Sequence, residues 1–284
     1  MAIILGKKHF GRLETLQWAN KHFNWPDDVV IGISCFYGFW AYIRAKLTRK
    51  RCIYYCIDFY SPEIAKNLWD RVFIWSAMQM DKFLISHVDK VWDISVNIDK
   101  GRERFGKYQV KWSFRKWISH QVVPLSYPPE YFRMSSTLSH KPLAYVGLEP
   151  YGLELIYPIP CVKFRWLGGI ECKFLGKYEL LNQLCEYGIG IALWKEKGNN
   201  YYGDPGKTKL YLACGLPVVM TANTAFSRVV KETEAGVIVD YTQESVEAGI
   251  NKILANYDYY KQNVKKTWGY INAEEVFRDM RLLD

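Results

Sequence analysis

Short β-branched runs alternate with longer helical stretches along nearly the whole chain, and this alternation constrains the fold more than any other feature. In the first half the runs read DVVIGIS (28–34), CIYYCIDF (52–59), KVWDIS (90–95) and HQVVPLS (120–126). In the second half they read LAYVG (143–147), VKFRWLG (162–168), CKFLG (172–176), GIGIALW (188–194), LPVVMT (216–221) and AGVIVD (235–240). Helical stretches separate them: FYGFWAYIRAKL, a long one opened by Ser61, Pro62 and Glu63, then 178–187, 205–214, 224–234 and 243–255. Strands joined through helices are parallel, because a tight hairpin cannot return the chain in the same direction. The stretch YPPEYFRMSSTLSHKP (127–142), rich in proline and serine, interrupts the pattern and reads as a linker.

The expected architecture is therefore α/β, with two Rossmann-like domains facing a cleft. The boundaries are 1–135, 136–265, and a closing helix over 266–284 expected to pack back towards the first domain. The chain opens with a helix-like GRLETLQWANKHF and passes directly to the strand DVVIGIS, so the amino-terminal domain is expected to be incomplete.

Charge is unevenly placed. Residues 1–140 carry 21 Lys/Arg against 12 Asp/Glu, whereas 141–284 carry 17 of each. A basic first half suits phosphorylated small molecules or an anionic membrane surface, or is simply solubilising charge. No dense Arg/Lys block or nucleic-acid motif accompanies it, so nucleic acid is not expected as a partner. A charged fraction of 24% beside 49% hydrophobic residues excludes disorder. The opening MAIILGKKHF has too short an apolar core for a signal peptide. Residues 29–43 are apolar but fall short of the ~20 needed to span a bilayer. A cytoplasmic protein, peripheral at the membrane at most, is expected. The seven cysteines, at 35, 52, 56, 161, 172, 185 and 214, have no metal-ligand spacing and read as buried reduced thiols.

In open parallel sheets, ligands bind beyond the carboxyl ends of the strands. The polar loop ALWKEKGNNYYGDPGK (192–207) leads from such an end into a helix. A lysine in the first turn of a helix opposes the macrodipole. Lys207 is therefore either a solvated surface lysine or half of a phosphate site completed by the free helix amides.

The segment DPGKTKLYLACGLPVVMTANTAFSRVVKETEAGVIVD (204–240) resembles the donor-binding segment of GT-B glycosyltransferases similar to family 4, where P-x-K-x-x-E-Y-x-A-x-G-x-P-V-V precedes a loop and a helix. FLGKYELLNQLCEYGIGIALW (174–194) is similar to the family's preceding segment, and residues 28–95 match more loosely. The resemblance implies transfer of a sugar from a nucleotide-diphosphate donor, as substrate, to a glycan or lipid-linked acceptor, with no cofactor and no metal. It implies donor-binding roles for Gly147, Lys177, Gly203, Asp204, Pro205, Gly206, Lys207 and Thr208. Lys207 falls where the family's lysine contacts the diphosphate. The family's glutamate falls on Leu210 and its paired acid on Gly203, two departures from the pattern. Asp204 is the acid nearby, with helix N-capping as its alternative, and Lys177 is either near the nucleotide or simply exposed. A general base, if the reaction inverts, points first to Asp58 and then to His87 or His120; Asp58 is equally placed for a turn or cap. Two rivals remain at this stage: a non-catalytic GT-B-like subunit that binds a nucleotide or partner, and a nucleotide-sugar epimerase, for which no convincing catalytic set is visible.

Overall fold

The computed structural model describes residues 1–6, 12–107, 119–134, 141–146, 155, 177–195 and 199–279. The first part of the chain runs β1 (Ile3–Leu5), α1 (Arg12–His22), β2 (Val29–Ile33), α2 (Ser34–Thr48), β3 (Arg51–Cys56), α3 (Leu68–His87), β4 (Lys90–Asp93), α4 (Asn97–Gly101) and β5 (Ser119–Val122). The second continues with β6 (Lys141–Ala144), α5 (Lys177–Leu184), β7 (Tyr187–Ala192), α6 (Asn199–Tyr202), α7 (Gly206–Ala213) and β8 (Val218–Thr221). It ends with α8 (Ser227–Thr233), β9 (Gly236–Val239), α9 (Gln243–Ala255), α10 (Tyr257–Val264), α11 (Trp268–Ile271) and α12 (Ala273–Asp279). The expected runs at 162–168 and 172–176 lie outside the described residues.

Both sheets are parallel, in the orders β1-β2-β3-β4-β5 and β6-β7-β8-β9. Strands β2, β7 and β8 are buried at every position, as continuous apolar runs covered on both faces must be. By contacts the chain forms two units. One comprises Met1–Leu125, Lys197–Asp204 and Val276–Asp284; the other comprises Ser126–Glu196 and Pro205–Glu275.

Alternation along β3 explains the core of the first unit. Tyr54 lies on one face, where Gly38 of α2 lets the helix approach its ring. Tyr55 lies on the other, against Trp92 at 6.0 Å, and Trp92 leads on through Trp25 to Phe277 of α12. In the second unit Ile189 and Ile191 of β7, Val219 of β8, and Val246, Ile250 and Ile253 of α9 form the core.

Three expectations need correction. A strand precedes the first helix: β1 pairs with β2 from Ile3↔Val30 to Leu5↔Gly32, so a β-α-β unit opens the described sheet. Ser61 does not start the long helix. Its hydroxyl accepts from Glu63 N at 3.3 Å and caps only the turn Pro62–Ile64, after which Ala65 becomes extended. Asn67 caps α3 instead, accepting from Asp70 N at 2.8 Å. The proposed linker is structural at its start. Tyr127 and Tyr131 are buried and stacked at 4.9 Å, and Tyr127 exchanges backbone bonds with Ile271 and Ala273.

Glycines supply a test of packing. Gly190 has no side chain because the Tyr211 ring lies there; a Cβ would sit well inside van der Waals distance of Tyr211 Cγ. Gly269, in α11, has nothing within 4 Å. Gly190→Ala is expected to cost about 1–3 kcal/mol from overpacking. Gly269→Ala is expected to be neutral or stabilising by about 0.5–1 kcal/mol through helix propensity. Urea unfolding midpoints check both.

Candidate functional site

Tyr145 and Trp194 lie just beyond the carboxyl ends of neighbouring strands β6 and β7. Helix α7 begins at Gly206, and its second residue, Lys207, places its ammonium against both rings. Lys207 Nζ is 4.3 Å from the Tyr145 ring centroid and 4.9 Å from that of Trp194, and it donates to Tyr145 Oη at 3.3 Å. Burial alone pulls its pKa down to about 8. Among the described residues no carboxylate pairs with it. Aromatic faces attract a cation, but they neutralise none of its charge. The first bond returning to the helix start runs from Lys209 N to Pro205 O at 3.1 Å, so the amides of Gly206, Lys207 and Thr208 precede the helical ladder. A half-buried cation and a helix amino end thus share the carboxyl edge of the second sheet, an arrangement able to hold an anion.

Several contacts fix α7. Tyr211 Oη accepts from Val146 N at 2.6 Å and donates to Ile191 O at 3.3 Å. Tyr127 Oη donates to Gly206 O at 2.9 Å, and at the far end Arg133 N and Trp268 Nε1 donate to Ala213 O and Leu212 O.

The other expected residues are distributed differently. Gly203 and Asp204 belong to the first unit, whereas Pro205 begins the second. Asp204 is buried, and its Oδ2 accepts from Leu125 N at 2.7 Å, anchoring the chain beyond β5. It does not cap α7; the N-cap position is Pro205, whose ring offers no acceptor. Thr208 is fully buried with its hydroxyl unpaired, so its side chain is out of reach of a ligand in solution. Leu210 is likewise core. Lys177 begins α5, its side chain outside the described residues, as is Gly147 altogether.

In the first unit Asp58 follows β3 at its carboxyl end, with Oδ1 3.4 Å from Arg12 Nη1. His87 is at the opposite edge, in the last turn of α3, stacked on Phe83 at 4.1 Å with Nδ1 2.7 Å from Phe83 O. His120 belongs to a buried charge network. Its Nε2 lies 2.7 Å from Asp93 Oδ2, and this hydrogen bond raises its pKa. Arg102, fully buried, bonds Asp93 at 2.6 Å, Asp99 at 3.1 Å and Asp81 at 2.9 Å, while Tyr54 Oη donates to Asp81 at 2.8 Å. Asp93, Asp99 and His120 bring metal-ligand atoms within 4.8 Å of one another, and the Arg102 guanidinium already supplies the cation there. With its Nε2 bonded to Asp93 and that bond favouring its charged form, His120 is poorly placed to act as a base.

Comparison with known proteins bears on this geometry. Residues 173–280 match the family model described as the Glucosyltransferase 3-like, C-terminal domain. Glucosyltransferase 3 of Streptococcus gordonii is 27% identical over 120 residues, 40% of this chain and 35% of that protein, so the match spans about a third of the relative's length. Among solved structures, sucrose-phosphate synthase from Thermosynechococcus elongatus covers 93% of this chain, which covers 74% of it, at TM-score 0.63 and 13% identity. HepE of Anabaena, solved with UDP and glucose, matches over 95% of this chain and 82% of its own at TM-score 0.65 and 11% identity. At such identities these likenesses establish the fold, which is of the GT-B kind.

The residues matched by that family model include Lys207, all of α7 and Leu210. Two features escaped the sequence reading. Ser34 has φ 71° at the junction of β2 and α2, a left-handed conformation uncommon outside glycine. The only local hint is the strand-to-helix change across Gly32-Ile33-Ser34. The Arg102 network gives no local signal, because its members are 81, 93, 99, 102 and 120 in sequence. Its histidine is testable. A raised folded pKa contributes stability that is full below the unfolded value near 6.5 and is lost as pH rises through the folded value. His120→Gln is therefore expected to lower the urea midpoint more at pH 6 than at pH 9.

Proposed function

We propose that the chain transfers a sugar from a nucleotide-diphosphate donor to a hydroxyl of a glycan or lipid-linked acceptor, as a peripheral membrane enzyme of polysaccharide synthesis. The observation that carries the reading is Lys207: half-buried, seated on two aromatic rings and unpaired with any described carboxylate, beside the amino end of α7. A diphosphate would bring the missing negative charge. The match to a glucosyltransferase 3-like domain over the same residues supports a transferase, and the GT-B relative HepE was solved with UDP-glucose.

In this reading Lys207 and the amides of Gly206, Lys207 and Thr208 stabilise the charge developing on the leaving diphosphate, so no metal is required. Gly147 and Lys177 are proposed to contribute to donor binding, with Pro205 and Gly206 shaping the turn into α7. Gly203 and Asp204 act by fixing the chain that leads there. Asp58 is proposed to take the acceptor's proton. A second reading, a nucleotide-binding subunit without turnover, is favoured by Leu210, an apolar core residue where the family carries a glutamate. Transfer and donor hydrolysis with a panel of nucleotide sugars, with and without chelator, beside calorimetry with free nucleotide diphosphates, decide between them. Binding without turnover favours the second reading; no binding removes both.

Lys207→Met is expected to weaken nucleotide-diphosphate binding about 10- to 100-fold, as loss of a charged hydrogen bond of roughly 1.5–3 kcal/mol implies. The same change relieves a buried charge, so it should raise the melting temperature at neutral pH. Wild-type affinity should fall as pH rises through about 8, where the free Lys207 ammonium is lost, and calorimetry should find no such step in the Met variant.

Asp58→Asn is expected to lower kcat by a factor of about 100 or more while leaving the nucleotide-diphosphate Kd unchanged. Unchanged turnover would remove Asp58 from the mechanism.

A further inference from the structure

Helix α3 carries two unlike faces. Ile74, Ala77, Asp81, Leu84 and Ile85 are buried. Outward, its first two turns expose Leu68 at 72%, Trp69 at 80% and Trp75 at 63%, with Val72 and Phe73 also exposed. An ordinary surface helix is polar on that side. The neighbouring α2 adds exposed Trp40 and stacks Phe36 on Phe73 at 5.5 Å. Beside this face runs a groove of about 360 Å³ lined by Ile74, Trp75, Met78 and Phe105, with Arg71 and Lys82 among its walls.

We propose that the outer face of α3 and this groove dock the protein on an anionic phospholipid bilayer. This rests on the peripheral-membrane part of the proposed function and gives that part a surface. Exposed tryptophans favour the lipid–water interface, where the indole body is apolar and its N–H stays wet. Exposed Lys66, Arg71 and Lys82 surround them, and two nearby acids are engaged: Glu63 binds Arg104 at 2.7 Å and Asp70 accepts from Lys66 N at 2.8 Å. Basic residues flanking an apolar stripe suit a helix lying in the headgroup plane. No described helix is long and apolar enough to cross a membrane, which fits a helix lying in that plane. A second copy is the poorer occupant. A two-fold contact sets the same patch against itself, bringing the basic side chains of both copies together.

The test is co-sedimentation of the full chain with vesicles of phosphatidylcholine alone and of equal phosphatidylcholine and phosphatidylglycerol. Binding is expected only to the anionic vesicles and should weaken with added salt. The double variants Trp69→Ser/Trp75→Ser and Arg71→Glu/Lys82→Glu should each lower the partition at least ten-fold, with circular dichroism and nucleotide-diphosphate affinity unchanged. Equal partition of variants and wild type, no binding to either vesicle, or self-association in sedimentation velocity that the tryptophan variant abolishes would each overturn the proposal. Failure of vesicle binding with nucleotide affinity intact sinks the docking face alone. Vesicle binding without nucleotide affinity sinks the transferase reading alone.

Discussion

The fit of the Tyr211 ring over Gly190 sets the geometry on which the second unit depends. A strand residue without a Cβ lets α7 settle onto β7, and the phenol then reaches the backbone of two strands, Val146 N after β6 and Ile191 O in β7. One side chain thereby fixes the height and rotation of the helix. Lys207, one turn earlier, has its ammonium delivered to Tyr145 and Trp194 as a consequence. Close packing transmits such constraints because interiors have little slack.

The two units treat a buried cation in opposite ways. Arg102 of the first is matched by Asp81, Asp93 and Asp99, so its charge is balanced within the fold. Breaking such a pair would leave an uncompensated buried charge. Lys207 has aromatic faces and a phenol, and its ammonium pKa falls to about 8 because burial disfavours the charge and no described carboxylate offsets it. A fold that needed only stability would place an apolar residue there. The contrast is what makes Lys207 a better site candidate than Arg102, although Arg102 is the more deeply buried.

Much of the fold was legible because strand and helix differ in period. Val29–Ile33, Arg51–Cys56, Val218–Thr221 and Gln243–Ala255 lie within the runs that signalled them. Boundaries were less legible where local chemistry competed. Ser61 and Asn67 are both capable caps, and the extended Ala65 between them decides which one starts α3. Within the candidate site, Lys207 stood out because its charge is wrong for a helix start. The anchoring of Asp204 to Leu125, 79 residues away, is a tertiary fact without a local pattern. So is the buried setting of Thr208, which a loop-to-helix motif equally places on the outside.

The site's chemical content also bears on selectivity. Asp204 is committed to the backbone of Leu125, and the family's glutamate position holds buried Leu210. Neither offers a carboxylate to a sugar hydroxyl. Discrimination between ligands that differ in a hydroxyl is strong only where a buried polar group is left unpaired by the wrong one. On the proposed reading, the described residues of the second unit grip the diphosphate through charge, a feature shared by all nucleotide-diphosphate sugars. Choice of sugar then falls to residues other than Lys207. On that reading the Lys207 cradle governs how tightly a donor is held, and leaves which donor is held to the rest of the chain.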